Sequence, residues 1–215
     1  MTRHRALLAW SSGKDAAWAL HLLRQGGDVE IAGLLTTLRR DLDRVSMHEV
    51  RREIVEAQAR AAGLPLVTVP LPVPCPNEAY ERAMSGALAR ARDDGVTAVV
   101  FGDLFLEDVR RYREERLADT GLVPLFPLWG LDTARLARDM IAAGHRARVV
   151  SVDTSALEPS VAGRPYDSAL LDDLPDGVDP CGERGELHTC VTGGPMLDEE
   201  LQVAPGEVTF REGFA

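Results

Sequence analysis

The chain has 215 residues, of which 45% are hydrophobic and 27% charged, enough for one large domain with a smaller appendage. The formal net charge of −10 disfavours nucleic-acid binding, which usually needs a basic surface. No stretch approaches the roughly 20 apolar residues of a membrane span, and three widely spaced cysteines give neither a CxxC pair nor a disulfide framework. Together these features predict a reduced, cytoplasmic protein.

Short apolar runs alternate with amphipathic stretches over the first two thirds of the chain. The runs predicted as strands are 5–10, 30–37, 65–71, 96–103 and 122–129. The stretches predicted as helices are 15–25, 48–63, 77–95 and 106–121. This alternation predicts an α/β fold, Rossmann-like, with a mostly parallel sheet and helices on both faces. Ligands of such sheets bind beyond the carboxyl ends of the strands.

The composition changes at about residue 130. A helix over 131–144 and a strand over 146–153 are followed by a stretch rich in Pro, Gly and Asp at 158–185. Short strand-like pieces come next, at 186–192 and 207–210. We therefore expect an α/β domain over 1–129 and a smaller C-terminal α+β portion over 130–215.

The segment SSGKDA, residues 11–16, joins the first predicted strand to the first predicted helix, and we call it the phosphate loop. Small residues and the N–H groups of a helix start suit an anion, and the hydroxyls of Ser11 and Ser12 add donors. Lys14 is the only lysine among 24 Lys and Arg residues, so the position favours a compact ammonium. The Walker pattern GxxxxGK[ST] does not fit, because Asp15 follows the lysine. The plain alternative is a turn with a serine N-cap and a surface lysine.

SSGKDA resembles SGGKDS, the pyrophosphate-binding loop of the adenine-nucleotide alpha-hydrolase superfamily. Four further segments resemble the ATP-binding domain of the diphthine–ammonia ligase family; they are 44–53, 99–117, 125–133 and 181–189. The resemblance implies a HUP-type fold that binds ATP and Mg²⁺. It also implies an amide-forming reaction, in which a carboxylate, on a modified protein side chain in that family, becomes an acyl-adenylate that ammonia attacks. Pyrophosphate and AMP are released.

The resemblance also implies roles for particular residues. Those expected to bind the nucleotide are Ser11, Ser12, Gly13, Lys14, Asp15, Gly102 and Asp103, with Asp103 a carboxylate for Mg²⁺. Those expected to act in catalysis are Lys14, Glu183, Glu186 and His188. Those expected to contact the substrate are Ser46, Met47, His48, Gly182, Gly185 and Thr189.

Two positions depart from the SGGKDS pattern. Ser12 replaces a glycine, which is tolerable if its φ is negative. Ala16 replaces the last serine, and one lost neutral hydrogen bond costs about 0.5–1.5 kcal/mol.

Simpler roles stay open for several of these residues. Asp103 and Ser46 could be helix N-caps, and the glutamates of GERGELHT, residues 182–189, could be solvated residues of a glycine turn. Two other functions also stay open, a non-catalytic nucleotide sensor and an enzyme that adenylates another substrate such as tRNA. The charged helix over 106–121 would suit a homodimer, although the sequence does not decide the oligomeric state.

Overall fold

The computed structural model describes residues 3–46, 48–211 and 213–215, so the predicted substrate contact Met47 lies outside the described residues. Six strands form the main sheet: β1 His4–Ala9, β2 Val29–Arg39, β3 Arg44–Val45, β4 Leu66–Leu71, β5 Ala98–Val100 and β6 Val123–Leu125. Across the sheet the order is β4-β2-β1-β5-β6, and all of these neighbours are parallel. The short β3 runs antiparallel to the end of β2.

The helices are α1 Lys14–Gly26, α2 Arg52–Ala61, α3 Asn77–Asp93, α4 Glu107–Leu117, α5 Thr133–Ala142 and α6 Ser168–Asp173. Successive strand residues point to opposite faces, and each face has its own apolar cluster. On β1, Leu8 belongs to the cluster that contains α1, and Leu7 to the cluster that contains α3. The predicted Rossmann-like α/β fold with helices on both faces is thereby confirmed.

A second, two-stranded antiparallel sheet is formed by β7 Arg146–Val152 and β8 Leu187–Gly193. Its apolar residues Val149 and Val191 belong to the same core cluster as α1. The Val191 N–H also donates to the Ser12 carbonyl at 2.9 Å. The second sheet therefore packs directly over the phosphate loop. The division into 1–129 and 130–215 stays a prediction.

Several predicted elements differ from the structure, and two of these differences have a clear physical reason. The strand at 207–210 is absent, because Val208 and Phe210 are 51% and 67% exposed and no strand pairs with this segment. The helix predicted from residue 48 begins at Arg52, since Arg51 pairs antiparallel with Arg44 and Val45 N–H donates to Val50 O. Within the described residues, no helix is both long and apolar enough to cross a membrane.

Candidate functional site

The phosphate loop lies at the carboxyl end of β1 and leads directly into α1. Gly13 is the N-cap of α1 and provides no side-chain cap. A Cβ on Gly13 would lie 2.8 Å from Cε1 of His48, closer than real Cβ contacts come. A side chain at this position would therefore displace the His48 ring, which packs against the backbone of the loop.

Ser12 adopts a positive φ of 73°, so the negative φ that its tolerance required is not found. A left-handed conformation costs a residue with a side chain about 1–2 kcal/mol. Two hydrogen bonds to the Ser12 carbonyl hold it, one from Val191 N–H and one from the Gln58 side-chain amide at 3.1 Å. The same amide group donates to Val191 O at 2.8 Å, and its oxygen accepts from the Trp10 indole at 2.8 Å. Gln58 thus clamps the strained loop to β8.

The ammonium of Lys14 is buried rather than open to the cleft, with only 2% of the side chain exposed. It donates to Asp15 at 2.8 Å and to the Cys181 carbonyl, and lies 5.4 Å from the centre of the Tyr166 ring. The Lys14 backbone N–H donates to Thr189 Oγ1 at 3.1 Å. Burial lowers the pKa of Lys14, but Asp15, Cys181 and Asp179 together outweigh it, so the pKa lies above its ordinary value and the ammonium stays charged.

Several buried polar atoms at this edge of the sheet lack a hydrogen-bond partner among the described residues. They include Ser12 Oγ, Asp15 Oδ1 and Ser46 Oγ. Ser46 directly follows β3, and its N–H donates to the carbonyl of Thr37 in β2. The thiol of Cys190 is close enough to interact with the Ser12 hydroxyl, which partly offsets the burial that raises the pKa of Cys190 to about 12. A thiol is only a weak hydrogen-bond partner, so this contact does not replace a full hydrogen bond for Ser12. Because buried polar groups are normally paired, these atoms mark a place that ordered water or a polar ligand can occupy.

The segment 182–188, which we call the acidic loop, covers the phosphate loop. Gly182 and Gly185 have φ angles of 67° and 94°, which favour glycine. A Cβ on Gly182 would lie 2.6 Å from the Leu187 carbonyl oxygen, whereas nothing lies within 4 Å of a Cβ on Gly185. The structure thus gives the two glycines a role in the turn, and their predicted contact with substrate stays a prediction.

Glu186 is a buried acid whose two oxygens are used inside the protein. They accept from the backbone N–H groups of Asp179 at 3.1 Å and Arg184 at 3.0 Å. Asp179 in turn accepts from the N–H of Glu183 at 2.8 Å. These bonds stabilise the conformation of the acidic loop. Glu186 therefore has a structural role that is separate from the catalytic role predicted for it.

Glu183 extends from the acidic loop to the segment that follows β5. Its Oε1 accepts from the N–H of Leu104 at 2.7 Å and of Phe105 at 3.4 Å. Burial raises the pKa of Glu183 to about 7, and the nearby carboxylates of Asp15 and Asp103 add to the rise. Among the predicted catalytic residues, Glu183 can therefore both take and give a proton near neutral pH.

His48 and His188 lie face to face, with ring centres 4.5 Å apart and planes at 32°. His48 Nδ1 lies 3.2 Å from the Thr189 carbonyl oxygen, so this nitrogen is the donor. Burial lowers the pKa of His48 to about 3 and of His188 to about 4, with the positive charge of Lys14 contributing. Both rings are neutral at pH 7, and a neutral imidazole can accept a proton.

Gly102 and Asp103 follow β5. A Cβ on Gly102 would lie 3.0 Å from the backbone of Asp15 and Ala16, so glycine permits the close approach of β5 to α1. Asp103 forms a bidentate ion pair with Arg113, at 2.6 and 3.2 Å. The alternative of a helix N-cap is wrong for Asp103, because α4 begins after Leu106 and has no side-chain cap. Ser46 is not a cap either, since Arg51 precedes α2.

The structure brings together the phosphate loop, the acidic loop and the histidine pair, while it turns the Asp103 carboxylate toward Arg113. Sequence reasoning missed three residues that shape the site: Gln58, Asp179 and Tyr166. Gln58 left a signal, a polar residue beside the buried Val55 and Ala59 of α2. Asp179 and Tyr166 lie in an irregular segment whose composition gave none.

Comparison with known proteins gives matches in both halves of the chain. The family model for the diphthamide synthase N-terminal domain matches residues 4–123, and that for its C-terminal domain matches residues 132–215. Diphthine–ammonia ligase from Homo sapiens is 30% identical over 116 residues, which cover 51% of this chain and 43% of the human protein. The Mus musculus protein of the same name is 30% identical over 118 residues, with the same coverage. The match thus spans less than half the length of these relatives.

Proposed function

Because the chain belongs to the diphthamide synthase family, we propose that it is an ATP-dependent ligase of the diphthine–ammonia type. It would join ammonia to a carboxylate, with ATP split into AMP and pyrophosphate. The carboxylate would be that of a modified protein side chain, since its similar relatives are named diphthine–ammonia ligases.

One observation supports nucleotide binding most directly. The phosphate loop leaves Ser12 Oγ and Asp15 Oδ1 buried and unpaired at the start of a 13-residue helix. A polyphosphate accepts hydrogen bonds from hydroxyl and N–H groups, and the helix dipole favours its charge. Asp15 itself would need a donor, such as a ribose hydroxyl, a proton or a cation.

The proposed reaction has two steps. In the first, a carboxylate oxygen bonds to the α-phosphorus as the bond to the bridging oxygen breaks, and pyrophosphate leaves. Donors of the phosphate loop would stabilise the charge that develops on it. In the second, the ammonia nitrogen bonds to the acyl carbon, the acyl–oxygen bond breaks and AMP leaves.

Proton removal accompanies the second step, because a neutral amide forms from ammonia or ammonium. Glu183, with a pKa of about 7, is the group of the acidic loop best suited to accept these protons, whereas His188, with a pKa of about 4, is the weaker base. Glu186 would act through the shape of the loop, since both of its oxygens accept backbone N–H groups.

Mg²⁺ accompanies ATP in many enzymes and would neutralise phosphate charge. Asp103 does not fit the metal role expected of it, because Arg113 bonds to both of its oxygens. Within the described residues no group of three or more His, Cys, Asp or Glu could hold a metal ion.

An isotope experiment tests the proposal. Elongation factor two bearing diphthine, with ¹⁸O in the carboxylate, is incubated with ATP, ammonium chloride and the protein. We expect one ¹⁸O atom in each AMP and an amide on the substrate, because the carboxylate oxygen leaves with AMP. Reactions without ammonium, or with Ser12→Ala, serve as controls.

Other outcomes separate the alternatives. AMP without ¹⁸O would contradict the acyl-adenylate, and ATP binding without any AMP would favour a nucleotide sensor. AMP formed only when tRNA is added would favour adenylation of that substrate.

A further inference from the structure

Lys14 contacts the acidic loop at both of its ends. Its ammonium donates to the carbonyl of Cys181, the residue before the loop, and its backbone N–H donates to Oγ1 of Thr189, the residue after it. A single residue of the phosphate loop thus contacts both of the residues that flank the acidic loop.

The surroundings of the ammonium suit an internal anchor. Asp15 balances its charge at 2.8 Å, and the Tyr166 ring lies against it. The Tyr166 hydroxyl donates to Pro180 O at 2.7 Å, so the ring is itself tied to the approach to the loop. An arginine would bring a planar fork into a space that a compact ammonium occupies, which explains a lysine in an arginine-rich chain.

We propose that Lys14 is a positioning residue that fastens both ends of the acidic loop to the phosphate loop and so holds Glu183 against the segment after β5. The ammonium then acts through the loop. In this proposal the pyrophosphate is bound by the hydroxyl and N–H groups of the phosphate loop and not by Lys14, whose direct contact with it the sequence predicted. The consequence for catalysis rests on the proposed function, whereas the fastening itself does not.

Arg184 reports on the fastening, because it is the trypsin site within the acidic loop and its side chain is 58% exposed. In Lys14→Met we expect cleavage after Arg184 to accelerate about tenfold or more, as for the loss of a hydrogen bond to a charged group. Thr189→Val removes the other anchor with little change in shape, and we expect about threefold.

Arg24→Met is the matched control. Arg24 lies on the same helix and also donates to backbone carbonyls, those of Met196 and Ala62, neither of which belongs to the acidic loop. Cleavage after Arg184 should stay at the wild-type rate in this variant. If Lys14→Met does not fold because Asp15 loses its partner, Lys14→Met/Asp15→Asn removes both charges.

A titration of Glu183 by NMR separates fastening from simple loss of charge. Releasing the loop exposes Glu183, so its pKa should fall from about 7 toward its ordinary value of 4.5. Removing a positive charge with the loop still in place would instead leave the pKa unchanged or raise it.

Unchanged cleavage after Arg184 in a folded Lys14 variant overturns the proposal, as does unchanged cleavage in Thr189→Val. Calorimetric titration with a non-hydrolysable ATP analogue keeps the two proposals apart. If the wild-type protein does not bind the analogue, the proposed function fails and the cleavage rates still decide the fastening. If Lys14→Met loses affinity tenfold while Arg184 stays protected, Lys14 is a phosphate ligand and the fastening is wrong.

Discussion

The two loops of the site are alike in composition and opposite in how their polar groups are used. Both combine glycine with charged residues, and they lie against each other. The acidic loop pairs its carboxylates internally, with Glu186 bonded to two N–H groups and Glu183 to two more. The phosphate loop leaves Ser12 Oγ and Asp15 Oδ1 buried without a partner.

This difference separates scaffold from binding surface. A buried polar group that is already paired gains little from a ligand, whereas an unpaired one gains a full hydrogen bond. The acidic loop is thus mainly a structural cover of the phosphate loop, and Glu183 is the residue within it that we propose acts in catalysis. The phosphate loop is the surface on which a ligand is expected.

Gly182→Ala should have the largest effect, because it attacks the shape of the acidic loop. The new Cβ would lie 2.6 Å from the Leu187 carbonyl oxygen at a φ of 67°. Strain and overpacking together should lower the free energy of unfolding by about 2–5 kcal/mol. Urea denaturation measures this. Gly185→Ala, at a φ of 94° with open space around it, is the control and should lose about 1–2 kcal/mol. Equal losses would contradict the steric account.

Glu186→Ala should come next, at about 2–4 kcal/mol, because it leaves the N–H groups of Asp179 and Arg184 unpaired. Glu186→Gln keeps one acceptor oxygen and should lose less. Thermal unfolding of both variants measures the order. A Glu186→Ala protein as stable as the wild type would show that the acidic loop does not depend on these bonds.

Ser12→Ala should do the reverse, changing ligand binding more than stability. Its hydroxyl makes no strong hydrogen bond within the protein, so the free energy of unfolding should change by less than about 0.5 kcal/mol. Affinity for an ATP analogue should fall about 3- to 10-fold, as for one lost neutral hydrogen bond. Calorimetry at 25 °C measures the affinity, and Ser11→Ala serves as the control variant. A large loss of stability with unchanged affinity would contradict the conclusion that the phosphate loop, unlike the acidic loop, keeps its polar groups for a ligand.

Glu183 should make the stability of the protein depend on pH. Between its ordinary pKa of 4.5 and its folded pKa of about 7, the folded state holds the proton more tightly than the unfolded state. The contribution of this group to stability is therefore full below pH 4.5 and is lost as the pH rises to 7. Glutamine does not ionise, so the Glu183→Gln variant does not lose this stability as the pH rises. The melting temperature of the variant minus that of the wild type should therefore increase from pH 5 to pH 8. A constant difference would contradict the raised pKa.

The sequence predicted the parts of this protein that depend on local pattern. The parallel sheet followed from alternating apolar and amphipathic segments, and the phosphate loop from small residues between a strand and a helix. The positive φ of Ser12 could not be predicted, because it depends on Gln58 and Val191, which are distant in sequence. The orientation of the Lys14 ammonium depends in the same way on Cys181.

The strand predicted at 207–210 from its apolar pattern was wrong because a strand, too, depends on residues distant in sequence. Alternation favours a strand only where a partner supplies hydrogen bonds and a core accepts the side chains, and this segment has neither. The acids of the acidic loop were identified as a group. Their division into a structural Glu186 and a titratable Glu183 required the hydrogen bonds themselves.

The bond between Lys14 and Thr189 joins residues 175 positions apart in the chain. A ribosome adds about 5–20 residues each second, so the segment around Thr189 emerges roughly ten or more seconds after the phosphate loop. During that interval Ser12 has no β8 to hold its left-handed conformation, and the Lys14 ammonium has no Cys181 carbonyl to donate to. The nascent protein can therefore form its parallel sheet well before it can assemble the site, which delays the proposed binding of ATP until β8 has been made.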